Sequence, residues 1–196
     1  ALLSYIQNSQ LQTTERKLEA IDEALLLFVS LNGRYPCAAD ITAAIDTVTF
    51  GTEPVDGAGD PDCSLAVASG ASVRTGGVPV RTLNLPDDYV DDAWGGRFTY
   101  LITEPLTDIG TFAVTAGGSI SVIDGAAVPN SLVTPAGSAF YAVISHGKNG
   151  IGATPTGGGA APPIACTVGT LESENCDGNS TVLNTLLLGT ATGNSQ

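Results

Sequence analysis

The first thirty-one residues contain neither Gly nor Pro, and this stretch constrains the fold more than any other part of the chain. Apolar residues fall at Leu11, Leu18, Ile21, Leu25 and Phe28. That spacing keeps one face of a 3.6-residue helix apolar. Glu15, Arg16, Glu19, Asp22 and Glu23 occupy the other side. A helix over residues 1–31 would be about 46 Å long, more than the width of a small domain. Its last two turns, Ala24 to Val29, are apolar nearly all round and are expected to be buried. The first half, with Gln7, Asn8, Ser9, Gln10 and Gln12, is polar enough to project from the domain. Asn32-Gly33 stops the helix and Pro36 prevents its restart.

Beyond this helix the chain is rich in turn formers. The 196 residues include 24 Gly and 11 Pro, while 43% are hydrophobic, which argues for a loop-rich core rather than disorder. Residues 37–80 read as a cysteine-bounded region with one short helix at Ala38 to Ile45, then irregular chain. Strands are predicted at Val78 to Leu83, Arg97 to Thr103, Phe112 to Thr115, Ser119 to Ile123 and Ala139 to Ser145. Gly147 to Pro163 reads as a surface loop, and Thr181 to Leu188 as a last strand or short helix. A long helix followed by an antiparallel meander is an α+β arrangement, with a helix at 1–31 and a head at 32–196.

Charge narrows the class of partners. Twenty acidic residues face seven basic ones, for a net charge of −13. That field repels phosphate backbones, and the basic residues are too scattered to form a track, so nucleic acid is a poor partner. The longest apolar run, Ala24 to Val29, falls far short of the roughly 20 residues a membrane span needs.

Four cysteines, without any Cys-x-x-Cys and with a single His, suit disulfides better than zinc. Three pairings are open. Cys37–Cys63 and Cys166–Cys176 are favoured because each closes one Gly/Pro/Asp-rich loop, stabilising by about 3.5 and about 2.8 kcal/mol. Disulfides imply an oxidising, extracytoplasmic compartment.

Candidate sites are few. His146 beside Ser145, with Asp92 or Asp124 as orienter, has the composition of a hydrolytic triad. Neighbours on a strand point to opposite faces, however, and the Gly-x-Ser-x-Gly elbow is absent. A non-enzymatic role is the expectation. Carboxylates cluster at Asp56, Asp60 and Asp62, at Asp87, Asp88, Asp91 and Asp92, and at Glu172, Glu174 and Asp177. The first and third clusters sit in or beside the disulfide loops, where backbone oxygens are free to join a calcium shell. No cofactor is required, and calcium is the one these loops suit. In Asp92-Ala-Trp-Gly-Gly96, Gly95 and Gly96 permit a tight turn and Trp94 supplies an apolar anchor.

Three segments carry a family resemblance. Arg16 to Phe28, followed by Asn32-Gly-Arg-Tyr-Pro-Cys-Ala-Ala-Asp40, resembles bacterial prepilin-type proteins, whose long N-terminal helix runs into a Gly-x-x-Pro-Cys-(Pro)-Ala-Asp turn. Asp92-Ala-Trp-Gly-Gly-Arg-Phe-Thr-Tyr100 resembles their Asp-x-Trp-Gly-x-x-(aromatic)-x-Tyr strand entry, shared with pseudopilins of type II secretion. Ala142 to Gly150 resembles their Ser-x-Gly-x-(Asp/Asn)-Gly segment. The resemblance implies a minor pilin or pseudopilin of a type IV pilus or type II secretion-like filament. Its apolar leader and anchor would precede Ala1, holding the chain in the inner membrane before assembly. Leu2, Leu3, Ile6 and Leu11 would then pack against neighbouring subunits. In major pseudopilins an acidic tail cluster holds calcium, and the nearest counterpart is Glu172-Ser-Glu-Asn-Cys-Asp177. The alternative from another class is a secreted calcium-dependent binding or adhesion domain.

Overall fold

The computed structural model describes residues 2–113, 117–126, 128–158, 166 and 171–184. The helix α1 runs from Leu2 to Asn32. Gly33 closes it: its N–H reaches the Val29 carbonyl at 2.8 Å from a φ of 66°. Among the described residues six strands follow: β1 Val67–Ala68, β2 Val73–Gly77, β3 Thr99–Thr103, β4 Ser121–Ile123, β5 Tyr141–Ile144 and β6 Thr181–Leu183. The main sheet has the order β1-β2-β3-β5, antiparallel throughout, and β4 pairs with β6 in a parallel two-stranded ribbon. The chain is therefore α+β, with a long helix and an antiparallel sheet.

The sheet is covered on both sides. Tyr100 and Ile102 of β3 join Ile21 and Leu25 of α1, with Phe50, Val78, Val80, Phe98 and Leu106, in the larger core. Leu101, pointing the other way, packs with Val73, Ile120, Ile144 and Val182. The helix thus covers one face and the β4–β6 ribbon lies over the other. This double coverage explains why β3 reads as a continuous apolar run rather than a clean alternation.

Several expectations change. Residues 38–45 form turns and a bridge, not a helix, because Ala39 pairs with Gly77 through two backbone hydrogen bonds of 2.9 and 2.8 Å. Beyond the end of β1, Ala39 takes up the free edge of β2. Strand β2 itself lies in a region read as irregular. Its Gly76 has a specific reason: a Cβ there would stand 2.2 Å from the Ala39 carbonyl oxygen. Val78 to Leu83 is a turn, closed by the Leu83 N–H to the Pro79 carbonyl at 2.9 Å. Phe112 and Ala113 are not in a strand, while 114–116 lie outside the described residues, as do 159–163 and 185–188 of the loop and tail predictions.

One predicted disulfide is present. Cys166 is bonded to Cys176, with Cα atoms 6.1 Å apart. Gly152 makes room for it, since a Cβ there would fall 2.3 Å from the Cβ of Cys176. Cys37 and Cys63 are correctly matched as neighbours but stand as two buried thiols, not a bridge. Sequence proximity reports which sulfurs meet; it carries no information on their oxidation state.

Two arginines tie loops to this frame. Arg34, just past the helix, forms a two-pronged pair with Glu53 at 2.8 Å on each arm, and Glu53 also accepts the Cys37 N–H at 3.1 Å. Arg97 is fully buried and donates to the carbonyls of Ile41, Ala43 and Thr156 at 2.7–3.0 Å. Phe50 lies beneath the guanidinium groups of both Arg81 and Arg97.

The close approach at Gly76 yields a direct test. Gly76→Ala should destabilise by about 2 kcal/mol or more, because the backbone of residue 39 must retreat. Gly57→Ala, where nothing lies within 4 Å, should stay within about 0.5 kcal/mol of the parent. Urea unfolding of the two variants separates the outcomes.

Candidate functional site

The helix divides into two unequal parts. Residues 2–9 touch little of the head, and at 1.5 Å per residue they carry α1 about 12 Å past its first anchor. Leu3, with 76% of its surface exposed, Ile6 and Leu11 are all open to solvent, as is Tyr5. These are the positions at which packing against neighbours is expected; the side chain of Leu2 lies outside the described residues.

Contact with the head begins at Gln10, whose side-chain amide donates to the Ala93 carbonyl at 3.1 Å, and at Thr14, whose hydroxyl accepts the Ala93 N–H at 3.1 Å. Ile21 and Leu25 are then completely buried. The nearly all-round apolar character of Ala24 to Val29 predicts that this end is buried. Instead Leu26, Leu27 and Leu31 stay exposed, Leu31 by 75%. The sheet covers only one side of the helix, so the excess leucines face out.

Two of these exposed leucines, Leu27 and Leu31, align with the projecting end. On a 3.6-residue helix Ile6, Leu27 and Leu31 fall within about 60° of one another. Ser9, Thr13, Ala20 and Ala24 fill the same arc, which carries no charged residue. The result is a neutral, partly apolar stripe along one flank of α1, between the buried face and the charged one, on a chain whose net charge is −13. The Leu11–Phe28 periodicity marks the buried face and gave no sign of this second one.

The Asp92 turn sets how the helix sits. Asp92 is buried, and its Oδ1 accepts the N–H groups of Trp94 and Gly96, each at 2.9 Å. Its Oδ2 accepts the Ser145 hydroxyl at 2.7 Å. Gly95 takes a φ of 85°, which a side chain would resist, and Thr156 donates twice to its carbonyl. Trp94 is half-buried and belongs to neither core cluster, while its Nε1–H is sealed from water without an acceptor. The anchor of this motif is thus Asp92, not the expected Trp94.

Ser145 and His146 do not form a catalytic pair. Ser145 donates to Asp92, whereas His146 faces Thr99 and the Ile151 carbonyl, each at 2.9 Å. An Nδ1–H donating to Ile151 leaves Nε2 to accept from Thr99. Burial pulls the His146 pKa below its usual value of 6.5, against the opposing influence of the Ile151 carbonyl and Asp92.

The carboxylate clusters disperse into local roles. Asp56 Oδ1 accepts the N–H groups of Ala58 and Asp60, at 2.8 and 3.0 Å, and these bonds hold its pKa down. Asp62 caps a short turn through the Ser64 N–H at 2.9 Å and the Ser64 hydroxyl at 2.6 Å. Asp177 accepts the Asn179 N–H at 3.1 Å, Glu174 is half-buried, and the side chain of Glu172 lies outside the described residues. Asp87 pairs with Arg81 and Asp88 with Lys17. Among the described residues no group of three or more His, Cys, Asp or Glu could hold a metal ion. No described helix is long and apolar enough to cross a membrane.

Two experiments address this region. Asp92→Ala leaves three donors without an acceptor and should cost about 3 kcal/mol, whereas Asp92→Asn keeps an acceptor for the turn and should cost clearly less. Equal losses in chemical denaturation would remove the turn's dependence on this group. For His146 the folded pKa lies below the unfolded one, so its contribution is full above pH 6.5. It is lost as pH falls from 6.5 through the folded value, because the unfolded state takes up the proton first. His146→Gln should therefore flatten the fall in stability between pH 7.5 and 5. No family model, curated protein or solved structure matches the chain.

Proposed function

We propose that this chain is a non-enzymatic structural subunit, a minor pilin or pseudopilin of a type IV pilus or type II secretion-like filament. The observation that carries the reading is the two-sided helix. One face is locked to the head through Ile21, Leu25 and the Asp92 turn, while Leu3, Ile6, Leu27 and Leu31 are exposed on a helix that overruns the head. Such a helix buries its open stripe only by packing on another molecule. Other subunits of the same kind are the partners that suit it, with helices inside and heads outside.

In this reading the head is extracytoplasmic, in keeping with its Cys166–Cys176 bond. An apolar anchor ahead of the helix holds the subunit in the inner membrane until it is extracted. The net charge of −13 keeps the heads apart from one another and from nucleic acid. It leaves the uncharged helix stripe as the favoured contact.

The test uses the full-length chain in its own assembly system. Ile6→Lys and Leu27→Lys, each on the exposed stripe, should abolish or strongly reduce incorporation into filaments. Their folding stability should stay within about 0.5 kcal/mol of the parent. Wild-type incorporation of both variants would end the proposal.

A further inference from the structure

Cys37 and Cys63 are placed unequally. Cys37 follows the exit of α1, is 1% exposed, and is fixed by the bond from its N–H to Glu53. Cys63 opens the short turn Cys63–Leu65 and is 7% exposed. It also lines an open cleft of about 480 Å³, together with Arg34, Asp62, Glu104, Thr107 and Asp108, whereas Cys37 lies behind it and out of the cleft. The two thiols meet, and the Thr107 hydroxyl is within reach of both.

The contact is directional. A hydrogen bond from Cys37 favours the thiolate of Cys63, whose pKa is lowered despite burial, and the Ala38 N–H adds to the effect. The same bond, with burial, drives the Cys37 thiol far up, so its proton is held. One sulfur is therefore both the more easily ionised and the one that an outside reagent can reach.

We propose that Cys37 and Cys63 form a directional thiol–disulfide exchange site, with Cys63 attacking an incoming disulfide through the cleft and Cys37 resolving it. The thiolate of Cys63 attacks one sulfur of R–S–S–R. A Cys63–S–S–R bond forms, the donor bond breaks, and RS⁻ leaves to take up the proton that Cys63 released. Cys37 then loses its proton to the second leaving thiolate and attacks the Cys63 sulfur. Two protein thiols are oxidised to one cystine, and one donor disulfide is reduced to two thiols. The new bond staples the helix exit to the segment that leads into β1, closing the turn-rich loop 38–62.

The cleft also selects the donor. Arg34 is already paired with Glu53 and Glu104 with Arg74, which leaves the carboxylates of Asp62 and Asp108 as the uncompensated charge of the lining. A cationic or neutral disulfide should enter more readily than an anionic one. This inference stands on the cysteine pair and the cleft, and is independent of the filament reading.

The experiment treats the reduced pair in the folded chain with cystamine or with oxidised glutathione. Peptide mapping then follows Cys37–Cys63 separately from Cys166–Cys176. The wild type should lose both thiols to a Cys37–Cys63 bond. After dividing by the rates of the urea-unfolded chain, cystamine should react on the order of tenfold faster than oxidised glutathione. Cys37→Ser should accumulate a mixed disulfide at position 63, and Cys63→Ser should leave Cys37 unmodified. The proposal is overturned if Cys37 reacts as fast in Cys63→Ser as Cys63 does in Cys37→Ser. Two thiols persisting in the folded wild type, under conditions that consume them in urea, would overturn it equally.

Discussion

A buried carboxylate needs hydrogen-bond donors on both oxygens, and Asp92 gathers three of them from two parts of the chain. The Trp94 and Gly96 N–H groups fold the 92–96 segment into a tight turn, and Ser145 brings the end of β5 to it. That turn leaves both backbone polar groups of Ala93 pointing outward, where Gln10 and Thr14 of α1 take them. One anion thus joins the entry to β3, the exit of β5 and the middle of the helix. Where α1 leaves the head follows from this junction.

The sheet inherits its position from the same constraint. Strand β3 starts just beyond the turn and lies between β2 and β5, sending Tyr100 and Ile102 to the helix and Leu101 to the ribbon. Around it the loops are held by polar bonds rather than by regular structure. Arg97 satisfies three carbonyls from two loops, and Arg34 grips Glu53 beneath the helix exit. Chain with so much Gly and Pro has little ladder bonding of its own, so buried guanidinium groups replace it.

Much of this was legible locally. The Gly- and Pro-free opening, the β3 and β5 runs and the nearness of Cys166 to Cys176 all express themselves within a few residues. Strand β2 was hidden because Gly76 and Gly77 look like turn formers. Their function is to let the backbone at Ala39 approach, a contact 37 residues away in sequence. The acidic loops were ambiguous for a different reason. Asp56 and Asp62 have the composition of a cation site, yet their oxygens turn inward to their own backbone N–H groups, which composition does not encode.

By itself the sequence determined that a long helix precedes an antiparallel head, because the 3.6-residue period and the stop at Asn32-Gly33 are local physical signals. For the cysteines it left three pairings open, and loop closure favoured the one in which the sulfurs meet. Tertiary structure alone decided which side of the helix stays open. Leu25 and Leu27 are equally apolar, and only the placement of the sheet, set through the Asp92 turn, buries one and exposes the other. In the same way Cys63 faces a cleft and Cys37 does not, because the strands and turns around them close one side and leave the other open.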